Sequence, residues 1–226
     1  MISTGPILVI AAHPDDEVLG CGGYLALSAA RGRSVNVLIL ADGESSRSTS
    51  DGCNLNRRTA AQNAAYALGI ADVTLLNLPD NRLDSLPLLD IVQLIEKRIR
   101  EVNPTTVLTH HHGDVNIDHR IAHEATLAAC RPMSGNVVNE LLFFEIPSST
   151  EWRPALAGSG FAPTVFVDIS SVLLQKNAAL LAYAGELRHS PHPRSIESID
   201  ALAVWRGATA GLHKAEAFAL GRAILV

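Results

Sequence analysis

The chain has 226 residues, of which 47% are hydrophobic and 18% are charged, and its formal net charge is −5. A chain of this length and composition can bury one sizeable core, and it is too apolar to be disordered. The acidic balance argues against a nucleic-acid partner, and no apolar run reaches the ~18 residues of a transmembrane segment. The N-terminus lacks the basic residues of a signal peptide, so a cytoplasmic location is expected.

Apolar runs and helical patterns alternate along the first half of the chain. Short runs rich in Val, Ile and Leu predict buried strands, and the segments between them have helical spacing. The predicted strands lie at 7–12, 35–40, 73–78 and 105–110, and the predicted helices lie at 17–32, 57–69 and 88–102. This order predicts an α/β fold, a Rossmann-like three-layer sandwich with a mostly parallel sheet and helices on both faces.

The second half of the chain is less regular. A helix is predicted over 117–130, with Asn116 or Asp114 as its N-cap. Further strands are predicted at 140–146 and 164–169, and further helices at 170–188 and 195–211. No repeat or linker composition divides the sequence, which predicts one domain over residues 1–226.

Polar residues follow each predicted strand of the first half. They lie at 13–17, 42–47, 80–82 and 110–119. Ligands of open α/β sheets bind beyond the carboxyl ends of the strands, where parallel strands end together. The sequence therefore predicts a functional site at this edge of the sheet.

Two of these polar segments have the composition of a metal site. "HPDDE" (13–17) and "HHHGDVNIDHRIAH" (110–123) supply histidines and aspartates but no cysteine, which suits Zn²⁺ bound by nitrogen and oxygen. Asp15 and Asp16 are adjacent and cannot both bind one ion well. One would be a ligand and the other would take a proton from water at the open position. Spacing leaves the third ligand open among His119, His123 and the histidines at 110–112.

The two motifs also carry a family resemblance. "AHPDDE" after the first strand and "GDVNIDHR" after a later one resemble the zinc-dependent de-N-acetylases of the PIG-L/LmbE family. The resemblance extends over most of the chain and implies that residues 1–226 form one deacetylase domain of this type. It implies zinc ligands at His13, Asp16 and His119, and a general base at Asp15.

The chain departs from the family pattern at one position. Asn116 stands where many members have a histidine that is thought to stabilise the oxyanion or protonate the leaving amine. An asparagine amide can donate a hydrogen bond but not a proton. We therefore expect another histidine to act in catalysis, and His192, between two prolines, is the candidate. Asp118 is expected to orient a ligand histidine.

Substrate contacts are expected from loops at the same edge of the sheet, and the late segment around Arg194 is expected to close over the pocket. Glu17 is interpreted as a helix N-terminal charge and not as a ligand. The predicted substrate-binding residues are Arg47, Asp80, Asn81, Arg82, Asn116 and Arg194.

The sequence thus predicts a zinc-dependent hydrolase that removes the acetyl group of an N-acetylated amino sugar or its conjugate. Its partner would be that small molecule, and the sequence is compatible with a homo-oligomer. One alternative is an amidase that acts on a thiol or antibiotic conjugate by the same chemistry. A second alternative is a non-catalytic Rossmann-like module that binds a sugar or nucleotide.

Overall fold

The computed structural model describes residues 4–43, 57–70, 72–135, 137–154, 158 and 160–225. Seven strands form one sheet in the order β3-β2-β1-β4-β5-β7-β6. The strands are β1 (Ile7–Ala11), β2 (Val35–Ala41), β3 (Asp72–Leu78), β4 (Thr106–His110), β5 (Glu140–Phe144), β6 (Val165–Asp168) and β7 (Ala215–Ala223). The helices are α1 (Asp16–Ala30), α2 (Arg57–Leu68), α3 (Leu88–Val102), α4 (Ile117–Ala129), α5 (Leu173–Ala182) and α6 (Ile196–Thr209).

The two faces of the sheet are covered by different helices. Alternate residues of β1 enter two separate clusters: Ile7 and Val9 pack with α1, α2, α5 and α6, whereas Leu8 and Ile10 pack with α3 and α4. Both faces of the central strands are therefore buried, which explains why β1 and β2 are almost continuously apolar. The predicted three-layer α/β fold is confirmed.

One strand was not predicted from the sequence. β7 pairs antiparallel with both β5 and β6, whereas the pairs formed by β1 to β5 are all parallel. The predicted helix over 170–188 is also shorter, because α5 ends at Ala182. Within the described residues, no helix combines the length and apolar character needed to cross a membrane.

The caps of the predicted helices follow the sequence closely. Asn116 caps α4, because its side chain accepts a hydrogen bond from the backbone N–H of Asp118 at 2.8 Å. Ser195 caps α6 in the same way through Ser198. Asp114 does not cap α4, but its carboxylate accepts from the N–H of Asn116, which holds the start of the helix in place. These contacts fix α4 against the carboxyl end of β4.

Candidate metal centre and active-site pocket

The site lies at the topological switch point of the sheet, where strands stop being added on one side of β1 and begin to be added on the other. The chain runs outward from β1 to β3 and then returns to place β4 on the other side of β1. A crevice opens at such a point, beyond the carboxyl ends of the two central strands. His13 follows β1 and His110 ends β4, so the two polar motifs meet in this crevice.

Three side chains in the crevice match the donor geometry of a metal site. Asp16 Oδ2 lies 3.2 Å from His13 Nδ1 and 3.3 Å from His119 Nε2, and all three residues are buried. Tetrahedral ligands at zinc bond lengths are separated by about 3.3 Å. The second oxygen, Asp16 Oδ1, is buried without a hydrogen-bond partner. The residues present therefore fit a zinc ion.

Carboxylates behind the two imidazoles fix the orientation of each ring. Asp118 Oδ2 lies 3.1 Å from His13 Nε2, and its Oδ1 accepts from the N–H of Leu83. Asp114 Oδ2 lies 3.1 Å from His119 Nδ1, and the hydroxyl groups of Ser149 and Thr150 donate to Asp114. Such partners set the tautomer and the ring angle of metal-ligating histidines. The structure thus places Asp118 on His13, and sequence reasoning missed the equivalent role of Asp114.

A second group, His13, Asp80 and Asp118, also brings three donor atoms together. It contains the same His13 ring as the first group but uses the other ring nitrogen, Nε2, which lies 3.3 Å from Asp80 Oδ1. Both Asp118 oxygens already have partners, and Asp80 Oδ1 accepts from the side-chain amide of Asn81. We interpret this group as the hydrogen-bonding environment of His13, because no donor atom in it is left without a partner.

The other histidines of the second motif have different partners. His110 Nε2 accepts from the N–H of Ala12 at 2.9 Å, and its ring stacks on His119 at 4.1 Å. His123 Nδ1 contacts the carbonyl oxygen of His110 at 2.9 Å. His111 Nδ1 accepts from the N–H of Gly113. Of the alternatives that spacing left open, His119 is the histidine that joins His13 and Asp16.

The electrostatics of the cluster favour a cation. Burial opposes the charged form of His13, but the carboxylates of Asp118 and Asp16 outweigh it and raise its pKa to about 10. Burial likewise opposes protonation of His119, yet Asp16 and Asp114 raise its pKa to about 9. The pKa of Asp16 lies well below its usual value, because the neighbouring histidines outweigh its desolvation. A metal ion binding here must displace protons.

Asp15 faces a pocket next to this cluster. Its φ angle is 115°, its side chain makes no helix-capping bond, and its Oδ2 lies 3.0 Å from Arg194 Nη1. Burial raises the pKa of Asp15 to about 6, although Arg194 opposes the shift. A carboxylate with this pKa is ionised at neutral pH and suited to accept a proton.

The pocket is an open cleft with about 410 Å³ of empty space, part of which is continuous with the solvent. Four predicted substrate residues line it, and Arg82 is exposed outside it. Arg47 lies outside the described residues. The lining residues are His13, Asp15, Arg57, Asp80, Asn81, Asn116, Glu186 and Arg194.

Two wall residues were not found by sequence reasoning. Arg57 Nη2 and Glu186 Oε1 form an ion pair at 2.5 Å across the pocket wall. Arg57 packs under Gly43, where a Cβ atom would come within 2.5 Å of the guanidinium group. Arg57 is the first residue of α2. An arginine at the start of a helix has no sequence pattern that indicates whether its side chain faces a site.

His192, which was predicted to act in catalysis, is not among the residues that line the pocket. Its Nδ1 accepts from the backbone N–H of Arg194 at 3.1 Å, and its ring packs edge-on against Trp152 at 5.7 Å. The side chain that reaches Asp15 from this segment is Arg194, which Ser148 Oγ also holds at 2.8 Å. The segment closes over the pocket as expected, but through the guanidinium group and not through an imidazole.

Fold and site together define a three-layer α/β protein with a buried histidine–aspartate cluster that could hold a metal ion at the central crevice of its sheet. Residues 8–130 match the family described as PIG-L: GlcNAc-PI de-N-acetylase. This match covers more than half of the chain and includes both motifs. The chain belongs to the PIG-L family.

Three relatives illustrate the range of the family. The "Uncharacterized deacetylase YaiS" of Escherichia coli is 32% identical over 72% of this chain and 81% of its own length. The "Probable N-acetyl-alpha-D-glucosaminyl L-malate deacetylase 2" of Bacillus cereus is 29% identical, with coverages of 80% and 83%. The crystal structure of the 4-carboxy-2-hydroxymuconate hydratase GalB of Pseudomonas putida superposes with a TM-score of 0.78, at 25% identity and 98% coverage of both chains.

Proposed function

We propose that this protein is a zinc-dependent hydrolase that removes the acetyl group from an N-acetylated amino sugar or its conjugate. The observation that carries the proposal is a carboxylate in the pocket, Asp15, next to the triad of His13, Asp16 and His119. Asp15 lines the same pocket as His13, and the adjacent Asp16 faces the ligand cluster. The deacetylase relatives support acetyl transfer to water as the reaction.

The proposed ligands are His13, Asp16 and His119. Zinc, when bound, supplies a Lewis acid for the acetyl carbonyl and lowers the pKa of a water molecule beside it. Asp15 takes the proton from that water, and Arg194 keeps the carboxylate oriented at a distance of 3.0 Å. The oxygen of this water would bond to the acetyl carbon, and the protonated Asp15 would give its proton to the nitrogen as the C–N bond breaks, so that acetic acid and the free amine leave.

Asn116 is proposed to donate a hydrogen bond to the substrate. Its Oδ1 accepts from the N–H of Asp118, so its amide nitrogen is the part of the side chain that can serve the pocket. Nδ2 donates to Asn81 Oδ1 at 3.3 Å and carries a second hydrogen. An amide donor can stabilise developing negative charge on the acetyl oxygen, which leaves proton transfer to Asp15.

The pocket wall suits a substrate rich in hydroxyl groups. Asp80 and Glu186 offer acceptors, and Asn81, Asn116 and Arg57 offer donors, within a wall that is mostly polar. A sugar ring presents both donors and acceptors around its edge and matches such a lining. We therefore favour an amino sugar over an apolar thiol or antibiotic conjugate for the part of the substrate next to Asp15.

The test is a screen of the zinc-loaded protein against N-acetylated sugars, nucleotide sugars and glycoconjugates, with released acetate as the readout. We expect at least one sugar to release acetate in the wild-type protein and not in Asp15→Asn. Stoichiometric zinc binding with no acetate release from any compound of the panel would contradict the proposal. An absence of zinc binding would favour a binding module instead.

A second candidate reaction is the hydration of a carbon–carbon double bond in a small carboxylate. The relative GalB carries a hydratase name, and two guanidinium groups, those of Arg57 and Arg194, line the pocket and suit carboxylate groups. Incubation with 4-carboxy-2-hydroxymuconate distinguishes the two reactions. A hydratase removes the conjugated absorbance of this compound, whereas a deacetylase leaves it unchanged.

A further inference from the structure

Asp15 adopts a backbone conformation that its residue type rarely adopts. Its φ of 115° and ψ of −28° lie in a region that favours glycine, and the backbone of any other residue is strained there. An aspartate at a helix N-terminus normally turns its carboxylate back to cap the first helical N–H groups. Asp15 makes no such bond, and its carboxylate contacts Arg194 in the pocket wall instead.

We propose that Glu17 and Tyr183 form a brace that holds Asp15 in this conformation and so positions its carboxylate for proton transfer. The brace is two hydrogen bonds in series. The backbone N–H of Asp15 donates to Glu17 Oε2 at 3.1 Å, and Tyr183 Oη lies 2.6 Å from Glu17 Oε1. All three residues are buried, each with at most 3% of its surface exposed.

The burial of Glu17 is not explained by the proposed metal ligands or by the pocket. Glu17 is neither a member of the metal triad nor part of the pocket wall. Among the described residues, no basic side chain forms an ion pair with it, so a carboxyl group is buried at considerable cost. A group retained under these conditions is expected to have a specific partner, and the N–H of Asp15 is that partner.

Tyr183 connects the brace to a second part of the pocket. It follows α5 directly, and its backbone carbonyl accepts from the N–H of Glu186 at 2.8 Å. Glu186 in turn pairs with Arg57 in the pocket wall. The turn after α5 therefore supports both Asp15, through the Tyr183 hydroxyl, and the opposite wall, through Glu186.

This inference rests on the proposed function, because it assigns a positioning role toward the proposed base. Neither hydrogen bond of the brace involves the side chain of a proposed zinc ligand, so its removal is expected to act on turnover and not on metal content. Misplacing a reacting group by about 1 Å can cost ~100-fold in rate. Loss of the brace should therefore lower kcat, while KM and bound zinc change little.

The experiment compares Glu17→Leu, Glu17→Gln and Tyr183→Phe with Tyr24→Phe, using the best acetylated substrate of the screen. Tyr24 is a matched control, because it is also a buried tyrosine whose hydroxyl has one partner, Arg33, and it packs against Phe218 away from the pocket. We expect kcat to fall ~100-fold in Glu17→Leu and ~10-fold in Tyr183→Phe, with KM and zinc content unchanged. Glu17→Gln retains an acceptor for the N–H of Asp15 and should recover most of the lost kcat.

Three outcomes would overturn the brace. The first is a wild-type kcat in Tyr183→Phe, and the second is a Glu17→Gln variant as slow as Glu17→Leu. The third is a loss of zinc in parallel with kcat, which would place the effect on Asp16. If Glu17→Leu does not fold, Tyr183→Phe and Glu17→Gln still decide the question. Asp15→Asn separates this test from the proposed function, because full turnover in Asp15→Asn contradicts the function itself.

Discussion

The metal triad and the pocket wall of this protein are built in different ways. The triad of His13, Asp16 and His119 comes from two short motifs at the ends of neighbouring strands, and it is almost fully buried. The wall residues Arg57 and Arg194 come from distant segments and are held by ion pairs to Glu186 and Asp15. The comparison indicates that sheet topology brings the triad together, whereas contacts between segments distant in the sequence build this part of the wall.

The sharpest test of this division separates two adjacent residues. Asp15→Asn should retain zinc and lower kcat by ~10² to 10⁴-fold, because it removes a general base. Asp16→Asn should lose zinc and activity together, because it removes a ligand oxygen. Elemental analysis and acetate release on the same samples measure both effects. Zinc loss in Asp15→Asn with retention in Asp16→Asn would reverse the assignments.

A smaller effect on zinc affinity is expected from a change at Asp114, the carboxylate that contacts His119. Asp114→Asn leaves His119 without its carboxylate partner, and loss of such a partner typically lowers metal affinity ~10 to 100-fold. Glu186→Gln is the matched control, since it makes the same chemical change in the wall, at the partner of Arg57. Competition with a zinc chelator measures the affinity of each variant. Equal zinc affinities in the two variants would show that the triad does not depend on Asp114.

The sequence predicted the triad because its signals are local. Parallel strands end at one edge of a sheet, so His13 after β1 and His119 after β4 could be placed together before the structure was known. The choice of His119 over His123 came from family resemblance, and the partners of the two rings support it. Spacing alone could not have decided between two histidines on one helical face.

Four residues of the wall were predicted from the sequence, namely Asp80, Asn81, Asn116 and Arg194, but the contacts that hold the wall could not be, because they are long-range. β7 is rich in small residues and lacks a clear alternation of polar and apolar residues. Its own sequence therefore indicates neither that it forms a strand nor that it lies between β5 and β6. The contact of Arg194 with Asp15 joins residues 179 positions apart. Two prolines around His192 suggested a stiff segment, but they gave no information on which side chain of that segment enters the pocket.

The pH dependence of zinc binding provides the last comparison between triad and wall. At pH 7 the raised pKa values of His13 (about 10) and His119 (about 9) keep these imidazoles protonated in the metal-free protein, and zinc must displace one proton from each ring. Zinc affinity should therefore rise about tenfold or more per pH unit between pH 7 and 9. The same shifts stabilise the metal-free fold fully below pH 6.5, the pKa expected in the unfolded chain, and this contribution is lost as pH rises through 9 to 10. Calorimetric titration in two buffers of different ionisation enthalpy counts the released protons. Glu186→Gln should release the same number, because the change is made at the partner of Arg57 and leaves both imidazoles of the triad in place. Zinc binding without proton release would contradict the proposed ligands.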